Sequence, residues 1–136
     1  IIYRTILNVL FDQERCEDDD FEDNRKNRSD RSVDTLCDAM RKFPGNVMTA
    51  TEMQEISGLS NRSLQYAFNR RFGCTPREWQ RNEHLNKARE LLLDSENNQS
   101  IKRISQQLGF VSSKSFSRLY FARFGELPSE TFRRKK

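Results

Sequence analysis

Two stretches of this chain copy each other, and that copying constrains the fold more than any other feature. Ser60, Leu64, Phe68, Arg71, Phe72, Gly73, Pro76 and Glu78 recur 52 residues later as Ser112, Phe116, Tyr120, Arg123, Phe124, Gly125, Pro128 and Glu130. Upstream of the two serines the offset is 51, with Thr49, Met53 and Gly58 answering to Ser100, Ile104 and Gly109. Self-similarity at a fixed spacing marks one structural unit built twice. Apolar residues at i, i+4 and i+8 read as a helix with one buried face. Each copy is therefore a short helix, a Gly-containing turn, a Ser cap and a second helix. No segment alternates with period two for long enough to make a strand.

Caps and stops divide the second part of the chain into seven helices. Val33, Leu36, Cys37, Met40 and Phe43 form one apolar stripe, ended by Pro44-Gly45. Thr49 and Glu52 have capping-box spacing, which predicts reciprocal bonds at the start of a helix that Gly58 stops. Ser60 caps the next helix, with Leu64, Phe68 and Phe72 inward. Thr75-Pro76-Arg77-Glu78 combines an N-cap, a proline at the first helical position and an acid at the third. It opens a long helix through Trp79, Leu85, Ala88 and Leu92 to about Asp94. Ser100 caps a helix holding Ile101, Ile104 and Leu108, and Ser112 caps one with Phe116, Tyr120 and Phe124 inward. A short helix follows Pro128, without a side-chain cap because Leu127 stands at the cap position. The expected fold is all-α and homeodomain-like: two helix-turn-helix subdomains joined by a long linker helix.

Residues 31–75 and 95–136 are then the two subdomains, and 76–94 is the linker helix. Ahead of them, residues 12–30 hold almost nothing apolar and a dense charge run, and read as an acidic flexible linker. Residues 1–11 place Tyr3, Ile6, Leu7, Leu10 and Phe11 at helical spacing. They fit either the remnant of an upstream domain or an extra helix packing on this one. Opening at Ile1 rather than Met, the sequence reads as a piece of a longer protein.

Charge narrows the function. Residues 1–30 carry five basic and nine acidic side chains, net −4, whereas residues 31–136 carry nineteen basic and eleven acidic, net +8. A basic body suggests a polyanionic partner, nucleic acid before membrane. No run of about 18 apolar residues is available to span a bilayer. The acidic cluster fails as a calcium loop, because with Asp18 first the sixth position is Asp23 rather than Gly and the twelfth is Ser29 rather than Glu. Cys16, Cys37 and Cys74 are widely spaced, and His84 is the one histidine, so a structural zinc site is not expected. The thiols suit a reducing cytosol, as apolar fillers or surface groups. No nucleophile with a base, carboxylate pair or phosphate-binding Gly loop suggests an enzyme, and no cofactor is expected. Two other functions stay open on the residues alone: a helical module docking acidic proteins, and a non-specific RNA binder.

In a helix-turn-helix the second helix is held by its apolar face while its polar face points outward, and such a helix can enter the DNA major groove. The linker helix adds geometry. Residues 76–94 span about 28 Å at ~1.5 Å per residue, which with the helix widths sets the two outward helices near the ~34 Å repeat of B-DNA.

Residues 47–133 resemble the DNA-binding domain of the AraC/XylS family of bacterial transcription regulators. The strings that carry the likeness are SNRSLQYAFNRRFGCTP, HLNKARELLL and ISQQLGFVSSKSFSRLYFARFGELPSETFRR. LQYAF and FGELPSETFRR further resemble the ethanolamine-regulator branch. The resemblance implies a cytoplasmic, nucleoid-associated regulator, activators among its relatives, with double-stranded DNA and RNA polymerase as partners and an upstream effector-sensing domain. It also implies base contacts at the positions of Arg62, Gln65 and Tyr66 in the first copy, and at Ser113, Lys114, Ser117 and Arg118 in the second. Arg62 and Arg118 suit guanine O6/N7, and Gln65 suits adenine N6/N7. Phosphate contacts are expected from Ser60, Thr75 and Ser112 at helix N-termini, and from Asn61, Asn69, Arg70 and Arg123. Departures from the family pattern are Tyr66 where Arg is usual, Lys114 for a small polar residue, Gln54 for a common Ala, and His84 for Arg or Lys. His84 is expected at the surface or partly packed.

Overall fold

The computed structural model describes residues 15–134, with burial described from residue 24 onward. Seven helices and no strand occur among the described residues: α1 (Arg15–Lys42), α2 (Ala50–Ser57), α3 (Asn61–Phe72), α4 (Pro76–Leu93), α5 (Ile101–Gln107), α6 (Ser113–Phe124) and α7 (Pro128–Arg133). Residues 1–11, read from the sequence as a helix, lie outside the described residues. None of the helices described is long and apolar enough to cross a membrane.

The caps act largely as their residue types require. Ser60, Ser112 and Ser100 each accept a bond from the backbone amide three residues on, at 3.2, 3.1 and 3.2 Å. Thr75 and Glu78 complete a reciprocal box, with Glu78 N donating to Thr75 Oγ1 at 3.1 Å and Thr75 N donating to Glu78 Oε2 at 3.0 Å. At Thr49 only half of the expected box forms: the threonine hydroxyl accepts from Glu52 N. At α7 the other half stands alone, because Leu127 offers no side-chain oxygen but its amide donates to Glu130 Oε2 at 2.8 Å.

Two cores result, and α4 is built into both. Val33, Leu36, Cys37, Met40, Met48, Met53, Leu64, Ala67, Phe68 and Trp79 form the first. Leu85, Ala88, Leu92, Ile104, Leu108, Phe116 and Tyr120 form the second. The third aromatic of each copy is a lid rather than a core residue. Phe72 is 37% exposed and leans on Phe68 and Trp79 at centroid distances of 5.3 and 5.7 Å. Phe124 is half-buried against Tyr120 at 4.6 Å, with the Arg89 guanidinium over its outer face. Beneath it Tyr120 Oη donates to Thr131 Oγ1 at 2.7 Å, and Thr131 donates on to Glu126 at 2.6 Å. Glu126 also receives Arg89 and Arg134, which staples α7 to α4. The Thr131 hydrogen bond is the largest influence and, with smaller contributions from Arg134 and Arg89, holds the Glu126 carboxyl below its ordinary range against desolvation.

Three sequence expectations change here. Residues 15–30, read as a flexible linker, are helical and continuous with the helix expected from Ser32. No Gly or Pro interrupts residues 15–42, acids lead and bases follow in the order a helix dipole favours, and the buried stripe from Val33 to Met40 anchors the distal end. Phe43, expected in that stripe, is 58% exposed, because α1 ends at Lys42 and the chain turns out of helical register. His84, expected at or near the surface, is 4% exposed.

The helical wheel of α4 explains His84. At ~100° per residue, Leu85, Ala88 and Leu92 lie about 180–240° round the helix from Trp79, while Gln80 and His84 occupy the quadrant between, at about 100–140°. Both are buried, and Gln80 Oε1 accepts from Met48 N at 2.9 Å. His84 Nε2 is buried with no hydrogen-bond partner among the described residues. Desolvation pushes the His84 pKa below its ordinary 6.5, against a smaller opposing effect of Glu83. The unfolded chain therefore binds a proton in a pH range where the folded chain resists it. The His84 contribution to stability should be constant above about pH 7 and fall as the pH drops through 6.5 and below. Urea denaturation at stepped pH checks this, and His84→Gln should remove that part of the acid-side slope.

Candidate nucleic-acid interface

α3 and α6 each turn one polar face away from the cores. On α3, Arg62, Gln65, Tyr66 and Asn69 follow i, i+3, i+4, i+7 spacing opposite Leu64 and Phe68, and all four are exposed. Asn61 is exposed at the first turn, and Tyr66, at 65%, leaves most of its ring in solvent. On α6, Lys114 and Arg118 are exposed and Ser117 is half-buried, on the face opposite Phe116 and Tyr120, with Ser113 exposed at the helix start. The structure thus brings the expected base-facing residues together as two separate stripes, one per copy. Among the described residues no ion pair engages Arg62, Lys114 or Arg118.

The turn before each recognition helix accounts for the change of offset from 51 to 52. The first turn runs from Gly58, at φ 72, to the cap Ser60. The second runs from Gly109, at φ 80, to Ser112 and is one residue longer. It carries Val111, which is 99% exposed.

The residues expected at phosphates divide into available and engaged. Ser60 and Ser112 are exposed and cap their helices. Asn69 is exposed. Thr75 is half-buried, and both its hydroxyl and its amide are occupied by Glu78, whose carboxylate sits where an anion would bind. Arg70 donates to Asp30 at 2.7 Å, and its neighbour Arg71 pairs with Asp34 at 2.6 Å and bonds the Asp30 carbonyl. Arg123 donates to Asn86 at 3.0 Å and lies over Phe124. The pairing of α1 with the end of α3 escaped sequence reasoning. Its trace is two acids four residues apart, Asp30 and Asp34, which fall on one helix face.

Thiol and metal chemistry find no support at these positions. Burial pushes the Cys37 thiol up to about 12, and burial also raises Cys74, so both stay protonated at neutral pH. No group of three or more His, Cys, Asp or Glu suited to a metal occurs among the described residues.

Known proteins share this arrangement. A family model described as a helix-turn-helix domain matches residues 53–134. The XylDLEGF operon transcriptional activator of Pseudomonas putida is 39% identical over 85 residues, which is 62% of this chain and 26% of that protein. The chain thus spans about a quarter of that relative's length. A probable AraC family transcriptional regulator from Rhodopseudomonas palustris superposes with a TM-score of 0.72 at 26% identity, covering 78% of this chain and 99% of that one. An AraC-type regulator from Chromobacterium violaceum gives 0.71 at 26% identity, over 77% and 92%. The duplicated Ser-capped helices, the shared linker helix and the matched segment agree: this chain belongs to the AraC-type helix-turn-helix family of transcription regulators.

Proposed function

We propose that this chain is the DNA-reading part of a bacterial transcription regulator, with α3 and α6 inserted into successive major-groove segments on one face of the duplex. The observation that carries this reading is the pair of solvent-facing polar stripes, each on a helix whose other face is locked in a core. α4 links the two cores as 18 residues of continuous helix, about 27 Å at ~1.5 Å per residue. A spacer of that length suits two helices one DNA turn apart.

In this reading residues 31–75 and 95–136 act as the two binding units and residues 76–94 as their spacer. Arg62, Gln65 and Tyr66 meet bases from the first, and Ser113, Lys114, Ser117 and Arg118 from the second. Ser60, Asn61, Asn69, Ser112 and Arg123 line the phosphates, with Thr75 a lesser contributor because Glu78 occupies its amide. Arg70 joins them by exchanging Asp30 for a phosphate. A surface ion pair contributes only about 0–1 kcal/mol, less than a charge-assisted bond to phosphate at about 1.5–3 kcal/mol, so the exchange is favourable. The relative's name as an activator supports RNA polymerase as a second partner, and its greater length supports an effector-sensing domain elsewhere in the intact protein. The site of action is the cytoplasm, at the nucleoid.

Selection of bound duplexes from a random pool tests the proposal. Two short boxes about ten base pairs apart would support it, and recovery of unrelated sequences would defeat it. Affinity should fall by roughly 10³–10⁵ between 50 and 200 mM salt for six to ten phosphate contacts. On the selected site, Arg118→Ala should cost about 1–3 kcal/mol and relax the preference at one position. An equal loss on scrambled duplex would remove Arg118 from direct readout. Arg70→Ala should weaken cognate and scrambled duplexes alike and lower the salt slope by about one. A loss confined to the cognate site would overturn its phosphate assignment.

A further inference from the structure

The two binding units touch each other at the turn before α6, outside both base-facing stripes. The turn between α1 and α2 closes with Asn46 N donating to Phe43 O at 3.0 Å. It is fixed to the linker helix by the buried bond from Met48 N to Gln80 Oε1, and to the first core by the buried Met48 side chain. Its outer edge lies against the turn of the second helix-turn-helix. A Cβ on Gly45 would fall 2.7 Å from the Gln107 carbonyl oxygen. A Cβ on Gly109 would fall 2.6 Å from Val47 Cγ2 and 3.6 Å from the Gly45 carbonyl oxygen.

The internal repeat supplies its own control. Gly58 holds the same place in the first copy, at φ 72 against φ 80 for Gly109, yet a Cβ there would meet nothing within 4 Å. The local turn therefore accounts for the positive φ in both copies but not for the crowding in one. That crowding belongs to the contact between the units. Gly45 itself is not among the glycines with positive φ, so its lack of a side chain answers to space alone.

We infer that Gly45 and Gly109 form a backbone-to-backbone seat that fixes the angle between α3 and α6, and so sets the box spacing this chain accepts. The inference rests on the two-helix reading above. Without the seat the second unit would be oriented by α4 alone, and a long helix curves and flexes over its length. With the seat, the second turn abuts a segment held rigidly to the first core, which leaves one relative orientation. Gly45 and Gly109 are positioning residues, and neither belongs to the base-facing stripes. Rigid linkage raises the effective concentration of the second unit at its box only when the geometry permits both to engage.

Gly45→Ala tests the seat in the whole chain, since alanine accepts the backbone and only the approach of Gln107 is obstructed. Affinity is measured on two-box duplexes with the spacing varied by single base pairs, and on duplexes with either box scrambled. We expect a loss on the order of tenfold at the wild-type spacing, a displaced spacing optimum, and one-box affinities unchanged. Equal losses on one-box and two-box duplexes, or an unmoved spacing optimum, would overturn the inference. Val47→Ala, at a half-exposed position, keeps the test open if Gly45→Ala does not fold. It trims the side chain against Gly109 and should widen the tolerated spacing; an unchanged spacing profile there also overturns the seat. A wild-type chain that binds no duplex fails the DNA-reading proposal instead.

Discussion

The arrangement depends on one helix being apolar on two different sides. α4 gives Trp79 to the first core and Leu85, Ala88 and Leu92 to the second, faces about half a turn apart round its axis. Such a helix has little one-sided amphipathicity, yet it is buried at both ends against separate partners. Neither core closes without it, since each helix-turn-helix alone presents too short an apolar stripe to bury itself. The reciprocal cap at Thr75 and Glu78 fixes where the helix starts, and thereby the register of both faces. The quadrant between those faces is occupied by the buried Gln80 and His84, and Gln80 is bonded to the turn that joins α1 to α2.

What was legible in the sequence follows from the range of the signals. Capping residues and i, i+4 stripes act within one or two turns, and they located seven helices and both exposed faces from residue types alone. Phe72 and Phe124 kept the correct helix face but sit at its end, where the core runs out and a ring becomes a cover. The helix over residues 15–30 carries no local signal, because a charge run without an apolar stripe reads as a flexible linker. A polar helix can persist when it extends one already anchored and its charges are spaced to pair. His84 and Gln80 were opaque for a different reason. Gln80 is held by Met48, 32 residues earlier in the chain, and both side chains lie between the two core-facing sides of α4, where no local pattern signals burial.

The interface between α1 and α3 has an electrostatic consequence. Arg70 and Arg71 leave α3 as two cations, but Asp30 and Asp34 meet them within hydrogen-bond distance. The end of the first recognition helix is thus nearly neutral while those pairs persist. The corresponding arginine of the second copy, Arg123, meets the neutral amide of Asn86 and the Phe124 ring, and no acid pairs with it among the described residues. The repeat is close in backbone and apolar face, and unequal in charge.

On the DNA-reading proposal, that inequality would order the two units in binding. Long-range attraction to a duplex depends on uncompensated charge, and it is felt within a Debye length of about 8–10 Å. The second unit presents Lys114, Arg118 and an Arg123 with no acid against it among the described residues, whereas the first presents Arg62 and two cations already paired. On that proposal electrostatic capture would favour α6, with α3 arriving as part of a rigid body rather than on its own field. On the same proposal, a phosphate beside Arg70 would then compete with Asp30 at close range, where geometry rather than net charge decides. A bipartite reader of this kind needs its two prongs fixed relative to each other more than it needs them equally strong, because the weaker prong can engage only where the stronger one has set it.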